Sequence, residues 1–256
     1  MKKYLKHAFC LNFLLLLTLN SLIGQSLDQI LEKHHEAVGI KALKNIESMK
    51  YYIVNKNHFL KNQSSILFCY DIEITVLRNK YYLSQLFKQN GEDIYAYASG
   101  KFWRKADGFS PEIWEPNNLD RLLIQQYLDF EGFLHDWKKK GIIIEKLEDV
   151  NLSGEYYHRV MAVTPEKDTL YYYLNPQNCL IEKISYNGDL SKRNDLFFIS
   201  FSDFKIFEGI QFAFNRMVYS KKLDGSFGKR EMIISKIEFN PPVDTVMFNE
   251  KNKFKP

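Results

Sequence analysis

The stretch that decides the fold runs from Asp129 to Ile184 and reads DFEGFLHDWKKKGIIIEKLEDVNLSGEYYHRVMAVTPEKDTLYYYLNPQNCLIEKI. From residue 142 onward, apolar and polar residues alternate with the period of two that β-strands show. The alternating segments are 142–150, 156–164, 169–174 and 180–186. Connections as short as Ser153-Gly154 and Asn175-Pro176 join antiparallel neighbours. The stretch therefore predicts an antiparallel meander.

The same period extends to both sides of this stretch. The clearest case is SILFCYDIEITV at 65–76, where every second residue is apolar over the length of a long strand. Further strand candidates are 50–57, 81–88, 94–99, 101–105, 197–207, 210–219 and 231–239. Together these segments predict one large antiparallel sheet of about a dozen strands.

Helical periodicity occurs in three places. Ser26 and Gln29 form a capping box, and apolar residues then recur at helical spacing up to Gly39, a typical C-terminal stop. A short helical turn is expected at 42–46, and one or two helices, broken near Gly132, at 117–140. A large sheet must cover its apolar face, so the predicted fold is mainly β (α+β). It is a curved antiparallel sheet forming a half-open β-barrel, covered on its concave side by the N-terminal helix and the central helical insertion.

The N-terminus has the composition of a secretory signal peptide. Three lysines precede the apolar run from Phe13 to Leu19, and small or polar residues follow at 21–26. The run is much shorter than the roughly 20 residues that a membrane-spanning helix needs. We therefore expect residues 1–25 to be a cleaved leader and residues 26–256 to form a single domain, soluble in the periplasm.

Charge and cysteine content limit the partners and the chemistry. The 35 Lys and Arg residues exceed the 31 Asp and Glu residues by four, and three of those lysines lie in the leader, which leaves a net charge of +1. No basic surface for nucleic acid is expected. Without the leader, Cys69 and Cys179 are the cysteines that remain. An oxidising compartment permits a disulfide between them, and two separate buried thiols are the alternative.

The order of elements in the opening stretch resembles one protein family. An Asp-Phe-x-Gly motif is followed by a leucine and a second aspartate, at Asp129, Phe130, Gly132, Leu134 and Asp136. A Lys-Lys-Gly step, a strand, a short turn and a tyrosine-rich strand ending in an Asn-Pro turn come next. This order is similar to that of the Lol-type (LolA-like) outer-membrane lipoprotein-sorting proteins. Segments 30–39, 202–215 and 239–248 extend the resemblance over the mature chain, while Ile40, Phe102 and Phe133 depart from the family pattern at local turns.

The resemblance implies a non-enzymatic carrier that shelters the acyl chains of a lipoprotein or lipid in an apolar concavity, for sorting to the outer membrane. It implies no cofactor, a monomer, and envelope membrane proteins as further partners. Burial of acyl chains gains about 0.8 kcal/mol per CH₂, so such a carrier needs apolar walls. The candidates for the lining are apolar residues of the long strand and of later strands: Ile66, Phe68, Tyr70, Ile72, Ile74, Leu83, Phe87 and Trp103. The alternative is that these side chains pack against the helices and leave no cavity.

Two other classes of function stay open. One is an interaction or sensor module, in which a lipid-like or peptide ligand alters contact with an envelope partner. The other is a hydrolase with an unrecognised site, although the sequence has no nucleophile elbow, phosphate-binding glycine loop, HExxH or paired CxxC.

The remaining polar candidates favour structural roles. His34 and His35 point about 100° apart on a helix, which does not suit a shared metal ion. Asp71 and Glu73 share a strand face at roughly 7 Å, an arrangement more typical of an exposed polar face than of an acid and base pair. His158 beside Glu155 is expected on a turn surface. The lysines 138–140 are expected at a solvated helix end, with anionic head groups beside the cavity as the alternative.

Overall fold

A computed structural model of the chain describes residues 25–61, 64–78, 80–87, 91–98, 101–106, 108–110, 112–116, 118–186, 188–190, 197–221 and 227–245. All but one residue of the predicted leader lies outside these ranges. Within them the chain forms one antiparallel sheet of 13 strands with few helices. The predicted mainly β class is therefore confirmed.

The strands follow the predicted segments closely. They are β1 (Ser48–Lys61), β2 (Ser64–Leu77), β3 (Lys80–Phe87), β4 (Gly91–Ala98), β5 (Lys101–Lys105), β6 (Glu112–Ile113), β7 (Ile143–Leu152), β8 (Glu155–Val163), β9 (Thr169–Leu174), β10 (Ile181–Tyr186), β11 (Phe197–Phe207), β12 (Ile210–Lys221) and β13 (Phe227–Phe239). All twelve predicted strands occur. The two-residue strand β6 was not predicted, because it is too short to show a period.

The order of strands explains the shape of the molecule. Across the sheet it is β6-β5-β4-β3-β2-β1-β13-β12-β11-β10-β9-β8-β7. The first six strands form one wing, the last seven form the other, and the pairing of β1 with β13 joins the wings at the centre. Because β6 and β7 lie at opposite edges, the sheet does not close into a barrel. The chain between those two strands must pass from one edge to the other.

The first helix, α1 (Leu27–Val38), starts and ends as its sequence predicts. The backbone N–H of Ser26 donates to Oε1 of Gln29 at 2.9 Å, and Oγ of Ser26 accepts from the N–H of Gln29 at 3.3 Å. Gly39 ends the helix with a φ of 74°, and the short α2 (Ile40–Leu43) follows. Ile30 and Leu31 are buried, so α1 packs its apolar side on the sheet.

The insertion between β6 and β7 differs from its prediction in its second half. It begins with α3 (Asn118–Leu128), but residues 129–142 form a series of turns instead of a second helix. The backbone takes positive φ at Gly132 (76°), Asp136 (49°) and Gly141 (69°), a conformation that a right-handed helix cannot contain. We call α3 and residues 129–142 together the covering segment.

Three clusters of buried side chains divide between the faces of the sheet. Two lie on the concave face, one around Ile30, Leu134 and Val160 and one around Met49 and Ile72. The third contains Tyr82, Ile94, Ala96 and Trp103. Tyr81 belongs to the second cluster and Tyr82 to the third, and successive strand residues point to opposite faces. The third cluster therefore lies on the convex face.

The cysteines do not form the disulfide that the sequence left open. Cys69 is exposed on β2, Cys179 is buried between β9 and β10, and both are free thiols. The alternative prediction of two buried thiols is right for Cys179 and wrong for Cys69, which is exposed. The exposure of Cys69 follows from strand alternation, because its neighbour Tyr70 points into the concave core.

The end of α1 sets a strict requirement for glycine. A Cβ atom added to Gly39 would lie 2.1 Å from the backbone oxygen of Gly209 in the turn between β11 and β12. Gly108 has nearly the same φ, 75° against 74°, and a Cβ there would meet nothing within 4 Å. An alanine at Gly108 would therefore add backbone strain alone, whereas an alanine at Gly39 would add both the strain and a clash with Gly209.

We predict that Gly39→Ala lowers the free energy of unfolding by at least about 2 kcal/mol more than Gly108→Ala does, because the clash adds to the strain of about 1–2 kcal/mol that both share. Urea unfolding of the two variants and the wild type measures the difference. Equal losses would show that α1 can shift away from the turn without cost.

Candidate ligand cavity

A cavity of about 610 Å³ lies between the concave face of the sheet, α1 and the covering segment. Both wings of the sheet contribute to it: its walls include Ile72 and Ile74 from one wing and Ile184 and Ile199 from the other. The covering segment contributes Ile124 and several neighbours. The volume falls in the range of roughly 300–1,000 Å³ that is usual for small-molecule sites.

Strand alternation and register build the first wall. On β2, Ile72 and Ile74 point into the concave side and are 4% and 1% exposed. The pairing places Ile72 opposite Ile53 on β1, and Ile74 opposite Leu83 on β3. Directly opposed residues have neighbouring side chains on one face, so these strands present a continuous apolar surface.

The predicted lining residues fall into three groups. Ile72, Ile74 and Leu83 border the cavity, and Tyr70 packs in the same buried cluster beside them. The predicted position of Trp103 in the cavity lining was wrong. Trp103 belongs to the cluster on the convex face, because Phe102 and Arg104 are the residues of β5 that point to the concave side. The side chains of Ile66, Phe68 and Phe87 lie outside the described part of the structure. A role of any of these residues in binding stays a prediction.

Sequence reasoning missed the polar residues of the cavity, of which Arg216 on β12 is the most prominent. Its signal was present: Ile210, Phe212, Phe214 and Val218 alternate along the strand, and Arg216 occupies the position between the last two. An arginine on the apolar side of a strand is unusual, since charged residues are rarely placed on a core face without a partner.

One arginine holds the covering segment to the rest of the fold. The guanidinium of Arg78 donates to both carboxylate oxygens of Glu131, at 3.0 and 3.3 Å, and to the backbone oxygens of Ile46 and Leu43 at 3.1 and 3.3 Å. It also stacks over Phe130, with 5.2 Å between Cζ and the ring centroid. Burial opposes ionisation of Glu131, but the hydrogen bonds and charge of Arg78 prevail and lower the pKa of this carboxyl group.

A lysine stabilises the turns of the covering segment from within. Nζ of Lys140 contacts the carboxylate of Asp129 at 2.6 Å and donates to the backbone oxygen of Gly132 at 2.8 Å. Burial raises the pKa of Asp129, and Lys140 opposes that shift. Lys139 pairs with Asp136 at 2.8 Å. Lys139 and Lys140 therefore pair with carboxylates of their own segment. The helix end that we expected at 138–140 does not occur, because these described residues form turns.

Neutral histidines lie where α1 meets its neighbours. Nδ1 of His34 donates to the backbone oxygen of Cys179 at 2.9 Å, and burial lowers the pKa of this histidine to about 4. The rings of His35 and His135 meet edge to face at 5.0 Å, which joins α1 to the covering segment. Burial lowers the pKa of both, and the mutual charge of the pair adds to the shift of His35.

The other polar candidates have structural partners. Glu73 pairs with Lys50 at 2.8 Å, and Asp71 is exposed beside it. His158 is 6% exposed, and its Nδ1 lies 3.0 Å from Asp149, so it is a buried residue and not the surface partner of Glu155 that we expected. Among the described residues, no group of three or more His, Cys, Asp or Glu side chains has the geometry to hold a metal ion.

Comparison with solved structures defines the fold class. The structure of a LolA superfamily protein from Nitrosomonas europaea superposes with a TM-score of 0.58 at 12% identity, covering 88% of this chain and 98% of that one. A candidate outer membrane lipoprotein-sorting protein domain from Vibrio parahaemolyticus gives a TM-score of 0.57 at 12% identity, covering 86% and 96%. The chain therefore has a LolA-like fold. The sequence matches no protein-family model and no curated protein.

Within the described ranges, no helix has both the length and the apolar composition that crossing a bilayer requires.

The buried His34 makes stability depend on pH. Its pKa is 6.5 in the unfolded chain and about 4 in the folded protein, so the unfolded state binds more protons between these values. We predict that the free energy of unfolding falls as the pH drops from 6.5 towards 4, by up to about 3 kcal/mol from this residue.

Urea unfolding at several pH values in this window measures the effect. The control is His34→Asn, whose side-chain amide can still donate to Cys179 but does not titrate. The wild type should lose more stability than this variant on acidification. Parallel pH profiles would assign the loss to other groups, such as His35 and His135.

Proposed function

We propose that this protein is a periplasmic carrier or binding protein that shelters acyl chains of a lipid or lipoprotein in its cavity. The observation that carries the proposal is the cavity itself: a sizeable concavity with mainly apolar walls, one of which is the covering segment. Each CH₂ group moved into such walls gains about 0.8 kcal/mol. The leader-like N-terminus supports export, and the LolA-like fold supports a carrier.

The proposal assigns a mechanical role to the covering segment. It must move for an acyl chain to enter, and it is attached by localised polar contacts: Arg78 with Glu131 on the sheet side and the His35 and His135 rings on the α1 side. Such contacts can break and form again without unpacking the sheet. The protein acts in this view as a monomer without catalytic chemistry, and it exchanges its cargo with envelope membrane proteins.

The first test asks for the ligand directly. The mature protein is purified from a bacterial periplasm without detergent and measured by native mass spectrometry, and the adduct is then extracted and identified. We expect a stoichiometric acylated molecule. A mass free of adducts, unchanged after incubation with lipids, would contradict the proposal and favour an interaction module.

Filling the cavity should abolish uptake while the fold persists. We predict that Leu83→Trp weakens binding of a fluorescent fatty acid at least about tenfold, since the indole occupies the space of the ligand. The matched control is Leu77→Trp, a half-buried leucine that packs on the convex cluster and should bind as the wild type does. Equal losses in both variants would show an effect on the fold and not on the cavity.

Loosening the covering segment should speed release of the ligand. Glu131→Gln keeps the shape of the side chain but removes the charge that Arg78 binds, a change of roughly 1 kcal/mol. We predict a dissociation rate about fivefold higher in stopped-flow displacement. Glu238→Gln, which removes the half-buried partner of the exposed Lys236 on β13, is the control and should leave the rate unchanged.

A further inference from the structure

Two arginines lie next to each other inside the apolar cavity. Arg216 on β12 is directly opposite Met232 on β13, and Arg230 is two residues before Met232 on the same strand. All three border the cavity. A diagonal pair on adjacent strands has its Cα atoms roughly 7–8 Å apart. The concave wall therefore presents two neighbouring cations to the space that the ligand occupies.

The guanidinium of Arg216 is incompletely paired. Its Nη1 donates to the hydroxyl of Tyr127 at 2.9 Å, and its Cζ lies 5.5 Å from the centroid of that ring. Its Nε is buried and has no hydrogen-bond partner. Over the described ranges of the chain, the structure brings no carboxylate within ion-pair distance of Arg216. A half-buried cation without an anion in an apolar cavity carries an electrostatic cost that a bound anion would reduce.

The tyrosines around Arg216 do not supply the missing charge. Burial raises the pKa of Tyr51 and of Tyr186 well above its usual value, and the charge of Arg216 offsets only part of that rise. Both phenols therefore remain neutral at physiological pH. They are hydrogen-bonded elsewhere: Tyr51 donates to Sδ of Met49, and Tyr186 donates to Oε1 of Gln126.

The carboxylates of the cavity wall are engaged at other places. Glu131 is bound by Arg78 and Asp129 by Lys140, at 3.0 and 2.6 Å. Asp120 also borders the cavity, and its charge acts on Tyr81 and Tyr95. The acidic groups of the wall thus have identified interactions, while Arg216 borders the ligand space and has no carboxylate partner among the described residues.

We infer that the cavity takes an amphiphile with a single acyl chain and one anionic head group, a carboxylate or a phosphate monoester, whose head binds Arg216 beside Arg230. Guanidinium groups bind both anions through paired, charge-assisted hydrogen bonds. The acyl chain occupies the apolar remainder of the cavity. This inference rests on the proposed function and narrows the class of ligand to acyl chains that carry a free acid group. The acyl chains of a lipoprotein are joined through ester and amide bonds and present no such anion next to the chain.

The experiment compares three ligands of equal chain length: palmitate, hexadecyl phosphate and the uncharged hexadecanol. Each is titrated by calorimetry into the mature, delipidated protein. We expect at least one of the anionic ligands to bind at least about tenfold more tightly than hexadecanol, the gain that charge-assisted hydrogen bonds supply. The stronger of the two anions identifies the head group.

Matched variants assign the preference to Arg216. Arg216→Met keeps an unbranched side chain without charge, and it should remove the preference for anions while hexadecanol binds within about twofold of the wild type. Lys229→Met, an exposed residue next to Arg230 on the opposite face of β13, should retain the full preference. Arg216→Lys keeps the charge and loses the planar fork, so an intermediate preference is expected. It also tests the inference if the methionine variant does not fold.

The outcomes separate this inference from the proposal on which it rests. Equal affinities of the wild type for all three ligands would overturn the anionic head group and leave the carrier function intact. A preference that survives in Arg216→Met would place the anion elsewhere and equally overturn the assignment. Failure of every ligand to bind the wild type would reject the carrier function, and the present inference with it.

Discussion

The pairing of β1 with β13 is the interaction on which the rest of the structure depends. It runs from Met49 opposite Phe239 to Phe59 opposite Gly228, with one shift of register after Tyr52. Through it, the first strands of the domain and its last strands become one sheet and not two. The twist of such a wide sheet curves it, and the chain between the edge strands β6 and β7 must then cross the concave side. The path of the covering segment follows from this single junction.

A curved sheet closed by polypeptide from its own edges does not have to contain a cavity. Here polar contacts with fixed geometry hold the covering segment to its neighbours. Arg78 anchors it near α2, Lys140 stabilises its turns, and His35 of α1 meets His135 of the segment. The cavity lies between the segment attached in this way, α1 and the concave face of the sheet.

The same geometry links the proposed carrier function to the proposed choice of ligand. Apolar walls retain an acyl chain, but they distinguish poorly between ligands that differ in the head group. In our proposal the half-buried Arg216 adds that discrimination, because an uncharged head leaves the guanidinium without an anion and an anionic head supplies one. In the proposed function, retention and selection reside in different residues, on β2 and β3 for the acyl chain and on β12 and β13 for the head group. They can be altered independently.

The sequence by itself determined the strands, their antiparallel arrangement, the limits of α1 and the side of β2 that is apolar, since all of these depend on local periodicity and capping residues. Ile72 and Ile74 could be placed on the concave face for this reason. Trp103 was misplaced because a strand of five residues does not reveal which of its faces meets the core. Residues 129–140 were predicted as helix because their apolar residues follow helical spacing, a pattern that does not reveal the positive φ of Asp136. Only the tertiary structure decided that a cavity exists, that Cys69 and Cys179 stay apart, and that Arg216 faces an apolar space beside Tyr127. These features depend on distances between segments far apart in the chain, which no local pattern of residues records.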